Sequence, residues 1–206
     1  MNHEDIVMLG TQSAGMGEEG RQQTFATVDV YDFPEAPLDR YIALIIPGQV
    51  DQELLLKHKD KIRRFLDSGK VLLFGGHLFR PWLPGAGSFV PKQIRTYKDY
   101  GITFVGDHPI FAGVDPDDLV YNKGVAGFFA RGHHPHPQGV EILLTLPDGE
   151  PTLYIDRVST HGTMMISSGS TLLNYRDPAK SSGRIAERII EWIRQEHAQL
   201  QQRSAV

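Results

Sequence analysis

The sequence predicts an α/β fold: an open, mostly parallel sheet flanked by helices, with short antiparallel strands added in the second half. Three observations predict it. Two runs, "IALIIPG" (42–48) and "KVLLF" (70–74), are apolar almost throughout, which suits strands covered on both faces. Between them lies a segment of helical periodicity, so strand, helix and strand form a βαβ unit with the usual right-handed crossover. Beyond residue 100 the chain breaks into short apolar runs separated by Gly, Pro and Asp, the pattern of antiparallel strands and turns.

The elements follow in order. "DIVMLG" (5–10) is a short buried strand that stops at glycine, and "GTQSAGMGEEGRQQ" is a loop with a turn of helix around Glu18–Gln23. "TFATVDVYDF" (24–33) alternates in character with period 2, as a strand does. In the first helix Leu55, His58, Ile62, Phe65 and Leu66 fall at steps of three and four and share a face. Asp51 caps its start, Glu53 favours its first turn and Gly69 ends it. "GITFV", "VAGFFAR", "EILLTL", "PTLYIDR" and "TMMISSG" are the short strands of the second half. A closing helix carries Ile185, Ile189, Trp192 and Ile193 on one face, opened by Asp177-Pro178 or by Ser182. The polar tail "QLQQRSAV" is expected to fray. No repeat or long linker divides the chain, so residues 1–206 are read as one domain.

Composition narrows the function classes. A hydrophobic fraction of 40% and a charged fraction of 22% are those of a globular protein. A net charge of −4 with no basic run argues against nucleic acid. With no cysteine, disulfides, thiolate catalysis and cysteine-held metal centres are excluded. The N-terminus does not read as a signal peptide, and no stretch reaches the roughly 20 apolar residues of a membrane span. We expect a cytoplasmic protein with no membrane partner. Neither a phosphate-loop nor a dinucleotide glycine pattern occurs, so no cofactor is expected.

"IALIIPGQVDQELL", the helix after it and "FLDSGKVLLFGG" together resemble the class I glutamine amidotransferase-like superfamily, over most of the chain. "HPIFAGV" (108–114) and the short-stranded second half look most like its non-glutaminase branches, the ThuA-like proteins and glycosidase-associated domains. The resemblance implies a flavodoxin-like sheet with the site at the carboxyl ends of its strands. "PGQVDQ" stands where the family has its Pro-Gly-Gly loop, so Gly48 and Gln49 are candidate ligand contacts. "FGGHLF" stands at the nucleophile elbow, where a glutaminase has Gly-x-Cys-x-Gly; Gly75, Gly76 and His77 are the candidates there. The chain has neither a cysteine nor the family's His-x-Glu pair, which rules out glutamine hydrolysis by the family mechanism.

Each candidate has a functional and a structural reading. His77, at a strand end, is either a general base and ligand contact or a histidine packed on Phe79 or Trp82. "RGHHPHP" puts His133, His134 and His136 close together, either as metal ligands or as an exposed loop, and no metal is expected. "DRVSTHG" holds Asp156, Ser159 and His161; His161 is the more credible as a pocket-lining residue, and a triad lacks its sequence context. The small residues of "SSGSTLLNY" allow a ligand close to backbone or only a turn. "FRPWLPGAGSFVP" is either a lid or dimer surface, or a loop folding Trp82 onto the core. A homodimer is expected on base rates. Three functions compete. One is a binding protein for a small polar or anionic ligand. Another is an enzyme of altered chemistry, a hydrolase or isomerase on a carbohydrate-like substrate using His77. The third is a structural homodimer.

Overall fold

The computed structural model describes residues 2–10, 24–121, 125–127 and 129–204. The glycine-rich loop and helical turn expected over 11–23 lie outside them. Strands β1 (Asn2–Gly10), β2 (Thr24–Asp29), β3 (Ala43–Pro47) and β4 (Val71–Gly75) form the first half of an eight-stranded sheet. Helices α1 (Gln52–Lys57) and α2 (Lys59–Asp67) join β3 to β4. The second half contributes β5 (Val90–Pro91), β6 (Thr103–Phe104), α3 (Asp117–Val120), β7 (Gly132–His133), β8 (Glu141–Thr145), β9 (Pro151–Asp156), β10 (Thr163–Ser167) and α4 (Ile185–Ser204).

The sheet order is β2-β1-β3-β4-β10-β9-β8-β6, and β5 pairs with β7 in a separate ribbon. The first five strands are mutually parallel and the last three are antiparallel. Counting β10 as the fifth, the parallel part has the 2-1-3-4-5 order of flavodoxin-like sheets. This is the expected fold class with one correction. The "TMMISSG" strand is no antiparallel addition: β10 lies between β4 and β9, in register with β4 from Thr163 opposite Val71 to Ser167 opposite Gly75.

Alternation along the strands builds two cores. Ala43, Ile45, Val71, Leu73 and Met165 face α4, whose Ile185, Ile189 and Ile193 are fully buried against them. Leu44, Ile46, Leu72, Phe74, Met164 and Ile166 face the other way, toward Leu55 of α1 and Ile62, Phe65 and Leu66 of α2. The Asp51 carboxylate accepts from the backbone N–H of Glu53 and Leu54 and caps α1, and Gly69 adopts a left-handed φ of 74° past α2. The helix predicted as one piece is broken at His58, with φ −112° and ψ 22°.

Three further expectations fail. The strand over 24–33 stops at Asp29, whose side chain accepts from Tyr31 N–H and turns the chain. "VAGFFAR" is no strand: Gly127 takes φ 90°, which breaks an extended run, and among its described residues only Val125 makes an isolated bridge. The tail does not fray up to residue 204, because Leu200 is buried and holds the last turns of α4 to the core. Among the described residues no helix is long and apolar enough to cross a membrane.

Candidate functional site

A cavity of about 660 Å³ opens at the carboxyl ends of β3, β4 and β10. In open α/β sheets this is the end where ligands bind. Its floor is main chain. A Cβ at Gly48 would lie 2.5 Å from the Gly76 Cα, one at Gly75 would lie 2.3 Å from the Thr171 nitrogen, and one at Gly169 would lie 1.7 Å from the Phe129 carbonyl oxygen. The loops after three neighbouring strands therefore touch backbone to backbone, which only glycine permits. Gly76 also donates its N–H to the Ser167 carbonyl at 3.0 Å, tying the β4 turn to β10.

The turn after β4 is held from α1. Gln52, almost wholly buried, donates from Nε2 to the His77 carbonyl at 2.7 Å. Its Oε1 accepts from Phe79 N–H at 2.8 Å and, at 3.3 Å each, from Arg80 N–H and the Trp82 indole. No helix follows this turn; residues 77–89 are irregular. The strand-turn-helix geometry of a nucleophile elbow is therefore missing along with the nucleophile. Trp82 is buried edge-on against Phe74 at 5.2 Å, so the chain from 78 to 89 covers the sheet where a helix would lie. The Trp82 ring itself forms no lid or dimer surface, since it belongs to the core.

His77 stacks on Phe89 at 3.7 Å and meets Phe79 edge-on at 5.9 Å. Burial, and then the Arg131 cation, hold its pKa below the usual 6.5, so the ring is neutral at pH 7. Arg131 is exposed at the rim, its Nε donating to the Gly127 carbonyl at 2.9 Å. Among the described residues, the side chains of Gln49, Thr171 and Asn174, the ring nitrogens of His77 and the terminal nitrogens of Arg131 take no protein hydrogen bond. The serines beside them are committed: Ser168 Oγ donates to the Gly132 carbonyl at 2.7 Å and Ser170 Oγ accepts from Leu172 N–H. Leu172 is fully buried with φ 63°, a costly conformation for a residue with a side chain, and it sits in the loop that carries Thr171 and Asn174. Among the described residues no carboxylate lines the cavity.

The predicted contacts separate cleanly. Gly48, Gln49, Gly75, Gly76 and His77 line this one cavity, and so do the small residues 168–171 of "SSGSTLLNY". His161 does not. It lies at the amino end of β10, exposed, with its backbone N–H 3.3 Å from Asp67 Oδ1, at the opposite edge of the sheet. Ser159 Oγ donates to Asp156 at 2.6 Å, and Asp156 also accepts from the N–H groups of Val158 and Ser159, closing a tight turn that leaves His161 out. No triad forms.

The three histidines of "RGHHPHP" diverge. His134 is buried, and its Nε2 accepts from Leu78 N–H at 3.1 Å, which puts its proton on Nδ1. Burial, with lesser effects of His77 and His133, lowers its pKa to about 4. His136 packs on Tyr154 at 5.4 Å, with Nδ1 2.8 Å from the Pro137 carbonyl, and His133 sits in β7. Among the described residues no three His, Asp or Glu side chains converge as a metal site. Sequence reasoning missed Gln52 and Arg131, and it read His134 only as a metal ligand or an exposed-loop residue, not as the buried acceptor for Leu78 N–H. Of the two that were missed, only Arg131 left a signal, a cation beside the histidine cluster.

Comparison with known proteins adds little to this geometry. No family model matches the sequence, and no curated protein matches it. A solved glutamine amidotransferase from Thermotoga maritima is similar in structure, with a TM-score of 0.46 and 12% identity over 96% of this chain and 93% of that one. The chemistry of the site rests on this chain's own residues.

Proposed function

We propose that the protein binds a small polar or anionic ligand at the carboxyl ends of β3, β4 and β10. One observation carries this reading: four uncommitted polar side chains, Gln49, His77, Thr171 and Asn174, and the free terminal nitrogens of Arg131 surround a cavity of about 660 Å³ that no carboxylate lines among the described residues. Polar groups of this density around a concave site satisfy a ligand better than they satisfy one another. A thermal-shift screen of small polar and anionic metabolites tests it, run beside Asn174→Trp, which fills the cavity mouth from an exposed position. A ligand at 100 times its Kd stabilises by about 2.7 kcal/mol, which raises Tm by about 5–10 °C. The increment should disappear in Asn174→Trp. Stabilisation by no compound, or the same stabilisation in both proteins, removes the reading.

A second reading, an enzyme using His77 as general base, is favoured by its neutral ring and free nitrogens. It is weakened by the absence, among the described residues, of any group that fixes the imidazole's tautomer, as an orienting carboxylate does in a triad. His77→Ala that binds but does not turn over a screened ligand would support it.

A further inference from the structure

We propose that the rim of this cavity is an oxyanion subsite, in which Arg131 and His77 together hold a carboxylate or phosphate group of the ligand while Gln49, Thr171 and Asn174 hold its polar body. This rests on the reading of the cavity as a ligand site and names the ligand class.

Four observations carry it. Among the described lining residues Arg131 is the single cation and none is acidic, so the charge they present has one sign. The Gly127 carbonyl takes the Arg131 Nε, which fixes the guanidinium and leaves its terminal nitrogens for two parallel bonds of the kind carboxylates and phosphates accept. The His77 ring is clamped between Phe89 and Phe79 with both nitrogens free, so it presents a donor at little entropic cost. Gln49, Asn174 and Thr171 each both donate and accept, which matches hydroxyls, groups that do the same. An anion with a hydroxylated body uses every one of these groups.

The arrangement also couples binding to a proton. Among the described residues, the charged and titratable side chains that face His77 are Arg131, from the 125–131 loop, and the buried neutral His134, after β7. On its other sides α1 presents the neutral Gln52, and the loop after β10 presents Ser, Thr and Asn. No described residue puts a negative charge beside the ring, so a bound anion raises the imidazole's proton affinity. Affinity must rise as pH falls through the bound-state pKa of His77 and level off below its free-state pKa.

Ribose, ribonate and ribose 5-phosphate, titrated into the full chain and followed by calorimetry and by the side-chain NMR signals of Arg131 and His77, test this. Ribonate and ribose 5-phosphate distinguish a carboxylate from a phosphate preference, and ribose measures the polar body alone. We expect at least one anion to bind about 10- to 100-fold more tightly than ribose, as a charge-assisted pair does. Arg131→Gln should abolish that preference. Ribonate does not titrate near neutrality, so any gain in its affinity toward low pH reports His77, and His77→Gln should remove it. Arg131 is exposed, and an unchanged circular dichroism spectrum of Arg131→Gln shows that folding is intact. Equal binding of all three probes, unaffected by Arg131→Gln, overturns the oxyanion subsite and leaves the binding reading standing. Absence of any Arg131 or His77 response to both anions overturns the subsite as well. The metabolite screen with Asn174→Trp then decides the wider reading on its own.

Discussion

Gln52→Met is the sharpest perturbation of the frame behind the cavity. Methionine matches glutamine in length and volume and suits a helix, so the substitution removes hydrogen bonds with little change in packing. Two short bonds go, from Nε2 to the His77 carbonyl at 2.7 Å and from Phe79 N–H at 2.8 Å, each contributing about 1 kcal/mol net. The buried Trp82 indole N–H also loses its acceptor at 3.3 Å, which costs about 1 kcal/mol more. The sum is a loss of about 3 kcal/mol, or about 6–12 °C in Tm for a chain of this size. Urea unfolding followed by tryptophan fluorescence is the assay, because Trp82 is one of two tryptophans and one of the groups released. A loss below about 1 kcal/mol, the range of substitutions that touch nothing important, would refute the role of Gln52 as the pin of the turn.

Gly76→Ala places a Cβ 2.2 Å from the Gly48 Cα at φ 152°; equilibrium unfolding should show a loss of about 3 kcal/mol or more. The lowered pKa of His134 makes stability depend on pH in a set direction. Its folded-state pKa is about 4 against an ordinary 6.5, so the unfolded chain takes up the proton first, and stability is full above pH 6.5 and falls as pH drops toward 4. At about 1.4 kcal/mol per unit the loss is about 3 kcal/mol. Urea midpoints across this window should fall, and His134→Leu should flatten the slope, incompletely because His3, His77, His108 and His197 are shifted the same way. At the other end of the sheet, burial raises the pKa of Glu196, but hydrogen bonds from Arg157 and Thr163 outweigh it and leave the carboxylate ionised. Glu196→Ala leaves Arg157 with only the more exposed Glu141 and should cost about 2–3 kcal/mol in thermal or urea unfolding.

Elements whose signals are local were legible in the sequence. The two-sided apolar runs of β3 and β4, the Asp51 cap, the Gly69 stop and the apolar face of α4 each depend on residues within a turn or two. The place of β10 did not, since only its long-range pairing with β4 distinguishes a central parallel strand from an added antiparallel one. Of the candidate site, the strand-end glycines and His77 could be placed because ends of βαβ strands gather at one edge. His161 misled because the six-residue link from β9 to β10 turns at the far edge, where the chain order gives no sign of sheet end. Gln52 gave no signal, because a glutamine in the first turn of a helix normally faces water, and its partners lie 25 to 30 residues away.

The backbone contacts among Gly48, Gly75, Gly76, Gly169 and their neighbours have a consequence for how this site changes over generations or in the laboratory. A floor made of peptide groups has no side chains to exchange, so substitution there damages the fold before it alters preference. Gln49, Phe79, Arg131 and Asn174 stand above that floor, exposed and outside either core. Selectivity is free to drift at these positions at almost no cost in stability. The protein thus separates the part of its site that must persist from the part that adapts, and a library confined to those four positions should retarget the cavity without unfolding the chain.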